Sequence, residues 1–318
     1  MAYSFCHILS GPNQADRSGI ERLAPIQPTT SVNPEQMDIS IRVLSPDDLD
    51  IADGIVTSAF GFTESRAREI RRYFTLEPNR WFLATYRNQP AGVVGATNYG
   101  PFTYLGMMTV CQELQRKGIG QAMLQHMLDW TESQGISFLR LDASEAGFPL
   151  YIRFGFEALD QALMFRHPDF SPLPDYPKQV QPLRFQDIQA LADFDSPIFG
   201  ANRAGLFHAL LTDFPDRGFA VYKTSGGTAG YLFAQTQRLG PWAARLPRDA
   251  EALLQAAMTL TYQGVPLAIA PETNTAASDL LDRYGFRQVL TNRHMQRGLS
   301  IIPGQRTAIY GQTSFAVG

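Results

Sequence analysis

The sequence predicts a mixed α/β protein made of two tandem copies of one unit, each a mixed, mostly antiparallel sheet flanked by helices. Strand-like and helix-like apolar periods alternate along the chain, and some strands follow one another through hairpin turns. The pattern also repeats: the hairpin at 82–92 recurs at 219–230, and Phe154-Gly155-Phe156 recurs as Tyr284-Gly285-Phe286. Because hairpins join neighbouring strands, a wholly parallel, doubly wound sheet is excluded.

The repeat divides the chain into five segments, which we expect at 1–36, 37–167, 168–180, 181–300 and 301–318. The first is an N-terminal extension without a sustained apolar period, which predicts a flexible segment. The first copy and the second copy follow, separated by a proline-rich linker, and a C-terminal tail ends the chain. A strand pattern begins directly after Met37, so translation from Met37 is an alternative to a true extension.

Local signals predict the elements of the first copy in order. A strand at 39–44 precedes a helix whose start, Ser45-Pro46-Asp47-Asp48, supplies a cap, a first-turn proline and first-turn acids. Arg87-Asn88-Gln89-Pro90 reads as a hairpin turn between two strands. The other expected elements are a helix near 64–73, strands at 81–86, 91–98 and 104–110, a helix at 118–133, a strand at 138–142, a helix at 148–154 and a strand from 156.

Composition excludes several classes of protein. With 44% hydrophobic residues the chain is not disordered, and it has no apolar run long enough to span a membrane. A net charge of −3 argues against binding nucleic acid by bulk charge. Two cysteines cannot build a disulfide framework and fit a reducing, cytoplasmic setting. The five histidines show no metal-ligand spacing, so we expect no metal. From the net charge and the absence of a long apolar run we expect no nucleic acid and no membrane partner.

A loop between a strand and a helix carries the chemistry. Gly118 and Gly120 let the backbone approach a ligand closely, and the free N–H groups at a helix start bind phosphate. Arg116 and Lys117 add positive charge in the same turn, so the segment predicts a pyrophosphate cradle. It is not a P-loop, which needs Gly-Lys-Ser/Thr, nor a Rossmann fingerprint, whose third glycine is Met123 here.

Gln115-x-x-Gly118-x-Gly120 after an apolar strand resembles the acyl-CoA loop of the GNAT (Gcn5-related) N-acetyltransferase superfamily. Tyr151, followed by Gly155-Phe156, resembles the next motif of that family, in the same order of elements. The resemblance covers about residues 38–167. As a whole, the chain is similar to bacterial tandem GNAT proteins that have an intact N-terminal GNAT domain and a degenerate C-terminal one.

The resemblance implies an acetyl-CoA-dependent N-acyltransferase in which a primary amine of a small molecule or peptide attacks the thioester directly. Acetyl-CoA is then a co-substrate, and no metal is needed. Tyr151 would be the general acid that protonates the departing thiolate, because a phenol stays protonated at neutral pH. The residues that the resemblance assigns to acetyl-CoA binding are Met108, Val110, Gln115, Arg116, Lys117, Gly118, Ile119 and Gly120.

Several alternatives stay open. The general base could be Asp142, Glu145, Glu64 or a water chain, and the acceptor, the acyl chain length and the choice between monomer and homodimer are not fixed. In the second copy, residues 239–247 stand at the place of the loop but lack its glycine pattern, and Leu281 stands where the first copy has Tyr151. We therefore expect the second copy to complete the acceptor pocket or brace the first copy. The alternative function is a non-catalytic CoA-binding module, regulatory or scaffolding.

Overall fold

The structure is a computed structural model that describes residues 38–298 and 304–318, so the expected extension at 1–36 lies outside the described residues. The helices are α1 (Leu49–Phe60), α2 (Ala67–Leu76), α3 (Ile119–Ser133), α4 (Phe148–Arg153), α5 (Ile188–Phe199), α6 (Ala204–Asp213), α7 (Pro247–Ala257) and α8 (Thr275–Arg283). The strands of the first copy are β1 (Ile39–Val43), β2 (Trp81–Tyr86), β3 (Gln89–Asn98), β4 (Thr103–Val110), β5 (Leu139–Ala143) and β6 (Glu157–Arg166). The later strands are β7 (Val180–Pro182), β8 (Gly218–Tyr222), β9 (Thr228–Ala234), β10 (Arg238–Ala244), β11 (Leu267–Pro271), β12 (Arg287–Arg297) and β13 (Ile309–Gly311).

Local chemistry explains where these elements start and stop. Asp48 closes a capping box with Ser45 just before α1, and Gly61 ends that helix in the left-handed conformation at φ 64°. The turn between β2 and β3 places Arg87 and Asn88 at positive φ, as a tight hairpin requires. The predicted mixed α/β fold with a mostly antiparallel sheet flanked by helices is confirmed.

One continuous sheet of 13 strands runs through both copies. Its order is β1-β2-β3-β4-β5-β12-β6-β11-β10-β9-β8-β7, and β13 pairs with β10 off this path. Among the described strands, the β4–β5 and β10–β11 pairs are parallel and the other pairs are antiparallel. The parallel pairs occupy equivalent places in the two copies, as an internal repeat predicts.

The two copies exchange their last strands. Strand β12, which ends the second copy, lies between β5 and β6 of the first. In return, β6 pairs with β11 of the second copy, from Arg166 opposite Leu267 to Ala162 opposite Pro271. Each copy therefore completes its sheet with a strand that the other copy supplies.

The hydrophobic core is also partly shared between the two copies. Helices α1, α2, α5 and α6 pack into one shared cluster on one side of the sheet, together with Ile309, Ala316 and Val317. Helices α3 and α4 bury a second cluster against the first copy, and α7 and α8 bury a third against the second. The segment expected as a C-terminal tail at 301–318 is thus part of the interior from Ile309 onward.

Candidate active site

Strands β4 and β5 start as neighbours and then diverge. They pair only through Thr103 with Leu139 and Tyr104 with Arg140. Beyond these pairs Met107 takes a positive φ of 51°, and the register with β3 shifts at this point. A β-bulge bends a strand locally, so β4 turns away from β5 and a cleft opens between the two strands. Met108 and Val110 belong to the part of β4 beyond its last pair with β5.

The loop at 115–120 lies beside the diverging part of β4, because a Cβ on Gly120 would come within 3.9 Å of Met108 and Val110. Arg116 and Gly118 have φ of 63° and 79°, and Gly118 is the residue directly before α3. In the described part of the chain, no N–H group of residues 116–120 donates to a backbone carbonyl. Unpaired N–H groups at a helix start form an anion site, and the partial positive charge of the helix end strengthens it.

Side chains of the loop leave that backbone free. Gln115 turns back and donates from Nε2 to the Val110 carbonyl at 3.3 Å, while Lys117 Nζ lies 5.4 Å from the centre of the Tyr86 ring. Ile119 is buried at 1% exposure, so its side chain packs in the core and only its N–H is available to the loop. A Cβ built on Gly120 would lie 3.8–3.9 Å from Leu150, Val110 and Met108, so this position faces the cleft.

Tyr151 lies on α4 in the same hydrophobic cluster as Met108 and Val110. It is 9% exposed, and its ring packs edge-on against Phe156 with the ring centres 5.6 Å apart. The Tyr151 hydroxyl makes no hydrogen bond to residues that the structure describes. Burial raises the pKa of Tyr151 above its usual value, so the phenol keeps its proton at neutral pH and can donate it.

The equivalent cleft in the second copy is filled. Strands β10 and β11 also diverge after two pairs, Arg238 with Leu267 and Leu239 with Ala268. Strand β13 lies in the gap: it pairs with β10, and the N–H of Gln312 just after it donates to the Ile269 carbonyl at 2.7 Å. The chain's own backbone thus occupies the gap between β10 and β11, whereas no strand of the described residues lies in the gap between β4 and β5.

The three carboxylates expected as candidate bases have different surroundings. Glu145 is exposed, and Glu64 is exposed and accepts a hydrogen bond from Gln237 Nε2 at 3.3 Å. Asp142 has no exposed side-chain surface and accepts from Tyr104, His294 and Gln312. The sequence had pointed to none of these three partners, because they come from distant segments that only the folded sheet brings together.

The segment after β13 reaches the closed end of the first cleft. A Cβ on Gly106 would collide with the carbonyl oxygen and Cα of Ala316, and the Tyr99 hydroxyl donates to the Val317 carbonyl at 2.8 Å. These residues cover the sheet on the side opposite α3. The C-terminal segment therefore packs on β4 where its bulge begins.

We expect Gly106→Ala to lower the free energy of unfolding by about 1–3 kcal/mol, because the added methyl meets backbone that has to shift. Urea unfolding of both proteins measures the difference. Gly54→Ala is the matched control: Gly54 is exposed in α1 with nothing within 4 Å of a built Cβ, so stability should rise slightly. Equal stability of Gly106→Ala and wild type would contradict the close packing of Ala316.

Across residues 38–298 and 304–318, no three His, Cys, Asp or Glu side chains are grouped so that they could hold a metal ion. Over the same described ranges, no helix combines the length and apolar character needed to cross a membrane.

The diverging strands, the bulge and the anion-binding loop define a GNAT acetyltransferase fold, and comparison with known families agrees. A model described as an acetyltransferase (GNAT) domain matches residues 44–173, and a second with the same description matches residues 191–311. The chain belongs to the GNAT acetyltransferase family and carries two such domains in tandem.

Known proteins resemble both halves. An uncharacterized N-acetyltransferase of Bacillus subtilis, YitH, is 27% identical over 203 residues, which cover 61% of this chain and 70% of that protein. A Pyrococcus horikoshii structure, described as that of an acetyltransferase, superposes with a TM-score of 0.79 at 24% identity, covering 88% of this chain and 96% of that one. A GCN5-related N-acetyltransferase from Sphaerobacter thermophilus gives a TM-score of 0.63 at 14% identity, covering 85% and 98%. These structural likenesses support the fold.

Proposed function

We propose that the chain transfers an acetyl group from acetyl-CoA to a primary amine, with the working site in the first copy. The observation that carries this proposal is the open β4–β5 cleft that leads to the unpaired N–H groups of the loop at 115–120. Membership of the GNAT family supports acyl-CoA-dependent N-acetyltransferase chemistry in general. The filled cleft of the second copy supports placing the site in the first.

The proposed roles follow the geometry. The N–H groups of residues 116–120 hold the pyrophosphate, and Arg116 and Lys117 add charge beside it. The pantetheine arm lies along β4, where Met108 and Val110 offer apolar contact. The amine nitrogen forms a bond to the thioester carbonyl carbon and gives up a proton to a base, a carboxylate or water. The carbon–sulfur bond breaks, and Tyr151 gives its proton to the sulfur. Holding donor and acceptor together in the cleft supplies much of the acceleration.

The acceptor that we propose is a primary amine of a small molecule or a peptide. Amino acids, polyamines, aminoglycosides and peptide N-termini all carry such an amine, and the fold fixes the donor rather than the acceptor. A panel of one compound from each class, with thiol release from acetyl-CoA as the readout, identifies the class that reacts.

Gly120→Asp is expected to abolish acetyl-CoA binding, because it places a carboxylate in the cleft where the pyrophosphate is held. In wild type, acetyl-CoA at about a hundred times its dissociation constant should stabilise the fold by about 2.7 kcal/mol, read as a rise in melting temperature. Gly120 has no positive φ, so the substitution adds no backbone strain.

The matched control is Gln121→Asp, which adds the same charge one residue further along α3 at an exposed position. It should keep most of the stabilisation by acetyl-CoA. A wild-type protein that acetyl-CoA does not stabilise would overturn the proposed function, and equal stabilisation of Gly120→Asp would place the binding site elsewhere.

A further inference from the structure

A buried polar cluster lies where the two copies meet, at the closed end of the first cleft. We call Tyr104, Asp142, His294 and Gln312 the junction cluster. The Tyr104 hydroxyl donates to Asp142 Oδ2 at 2.8 Å, and Gln312 Nε2 donates to the same oxygen at 2.7 Å. His294 Nδ1 lies 2.8 Å from Asp142 Oδ1. The first copy supplies Tyr104 and Asp142, β12 supplies His294, and the C-terminal segment supplies Gln312.

The protonation states in the junction cluster follow from its contacts. Burial acts to raise the pKa of Asp142, but the hydrogen bond from His294 and the positive charge of Arg306 outweigh it and hold that pKa below its usual value. Burial, reinforced by Arg306, lowers the pKa of His294. Asp142 is thus a carboxylate and His294 a neutral imidazole whose Nδ1–H donates to Asp142, which leaves a lone pair on Nε2.

That lone pair has no partner. His294 is 1% exposed, and its Nε2 is buried without a hydrogen-bond partner among the described residues. An unsatisfied buried acceptor costs about 1–3 kcal/mol, so a native structure retains one where it serves a purpose or holds a water. A carboxylate that fixes the imidazole tautomer and leaves Nε2 free is the arrangement of a general base.

The junction cluster lies where β4 and β5 begin to diverge, on the face of the sheet opposite α3. Tyr104 belongs to the last pair before β4 and β5 diverge, and Asp142 is two residues further along β5, opposite His294. The neighbouring residues Leu105, Leu141 and Met295 face α3. Since side chains alternate along a strand, Asp142 and His294 face the opposite side of the sheet from the helix that carries the anion-binding loop.

We propose that His294 of the second copy is the base that takes the amine proton during acetyl transfer in the first copy. The inference rests on the proposed function. As the amine nitrogen bonds to the carbonyl carbon, its proton moves to His294 Nε2, directly or through one water. The carbon–sulfur bond breaks, and the thiolate receives its proton from Tyr151. Asp142 is a positioning residue that orients the imidazole and stabilises its charged form.

Other charged groups near the imidazole set its pH dependence. Arg306 from the C-terminal segment pairs with Asp160 of β6 at 2.8 and 2.9 Å, and Asp160 lies opposite His294 in the sheet. Arg140 on β5 also lowers the pKa of His294. Activity should therefore fall as the pH drops through a value below 6.5, the usual pKa of histidine, because the imidazolium no longer accepts a proton.

The test is the pH profile of kcat/KM for His294→Asn and wild type, with the fastest amine of spermidine, L-lysine, kanamycin and an unblocked alanine peptide. Rates are expressed per neutral amine, so that the titration of the amine itself is divided out. Asn keeps a donor toward Asp142 but lacks the Nε2 lone pair. For His294→Asn we expect a rate at least tenfold lower at neutral pH. The fall in rate at acidic pH, the acidic limb of the profile, should be lost, and stabilisation by acetyl-CoA should be unchanged.

Two controls separate a chemical role from a structural one. His208→Gln removes an exposed histidine of α6 and should keep both the rate and the profile. Asp142→Asn lets an amide donate to Nδ1, which moves the imidazole proton to Nε2, and should lower the rate with the imidazole still present. If His294→Asn fails to fold, Asp142→Asn and the acidic limb of wild type decide.

The outcomes are distinct. Wild-type transfer with no acidic limb below 6.5, or the same limb in His294→Asn, overturns the base assignment and leaves the proposed function standing. Absence of transfer to every amine overturns the proposed function and the base together. A limb present in wild type and lost in His294→Asn supports both.

Discussion

Replacing Tyr151 by Phe is expected to lower the rate of acetyl transfer by about 10²–10⁴-fold, the range that a general acid contributes. The hydroxyl makes no hydrogen bond within the described residues, and burial keeps it protonated, so its removal takes away a proton donor without breaking a contact. The ring keeps its packing on Phe156. Steady-state thiol release measures the loss, and thermal unfolding with acetyl-CoA should show unchanged binding.

Tyr222→Phe is the matched control, a half-buried tyrosine of β8 in the second copy, and it should keep the full rate. An undiminished rate in Tyr151→Phe would remove Tyr151 as the acid. If wild type and Tyr151→Phe both bind acetyl-CoA and neither acetylates any amine, the chain is a CoA-binding module rather than an enzyme.

The second large effect concerns stability. Asp195→Ala should lower the free energy of unfolding by about 3–5 kcal/mol, because it leaves the buried Arg203 guanidinium without its counter-charge. Asp195 holds Arg203 by two hydrogen bonds of 2.8 Å and accepts a third from the Tyr231 hydroxyl. Both charged side chains are 2% exposed or less. The pair lies inside the layer that the helices of both copies share.

Urea unfolding of Asp195→Ala gives the loss directly. Asp193→Ala is the matched control on the same helix: Asp193 is exposed and, among the described residues, accepts a hydrogen bond from Gln189 alone, so its loss should cost about 0.5 kcal/mol or less. A loss below about 1 kcal/mol for Asp195→Ala would mean that Arg203 finds another partner or reaches water.

Local chemistry was enough to predict much of the first copy. The strands at 81–86 and 104–110 and the helix near 118–133 follow from apolar periods and turn residues, which act over a few positions. The loop at 115–120 was predictable for the same reason, because glycines and a helix start are read from neighbouring residues. The assignment of that loop to acetyl-CoA stays a prediction.

Long-range pairing was not predictable in the same way. Asp142 and His294 are separated by 152 positions, and no periodic pattern links them. In a simple tandem, β12 would complete its own copy; the exchange places it beside β5 instead. The choice between the two arrangements depends on how whole faces pack, so composition and spacing carry no signal for it. The burial of Ile309 in the cleft of the second copy escaped prediction for the same reason.

The strand exchange also determines whether the fraction of complete sheets changes when the protein is diluted. Two separate copies that traded their last strands would form a dimer, and the fraction of complete sheets would depend on protein concentration. Here the segment between Arg166 and Val180 tethers them, so the exchange is intramolecular and its effective concentration is set by the tether. Both copies stay complete however few molecules are present, and His294 stays beside Asp142 in every one of them.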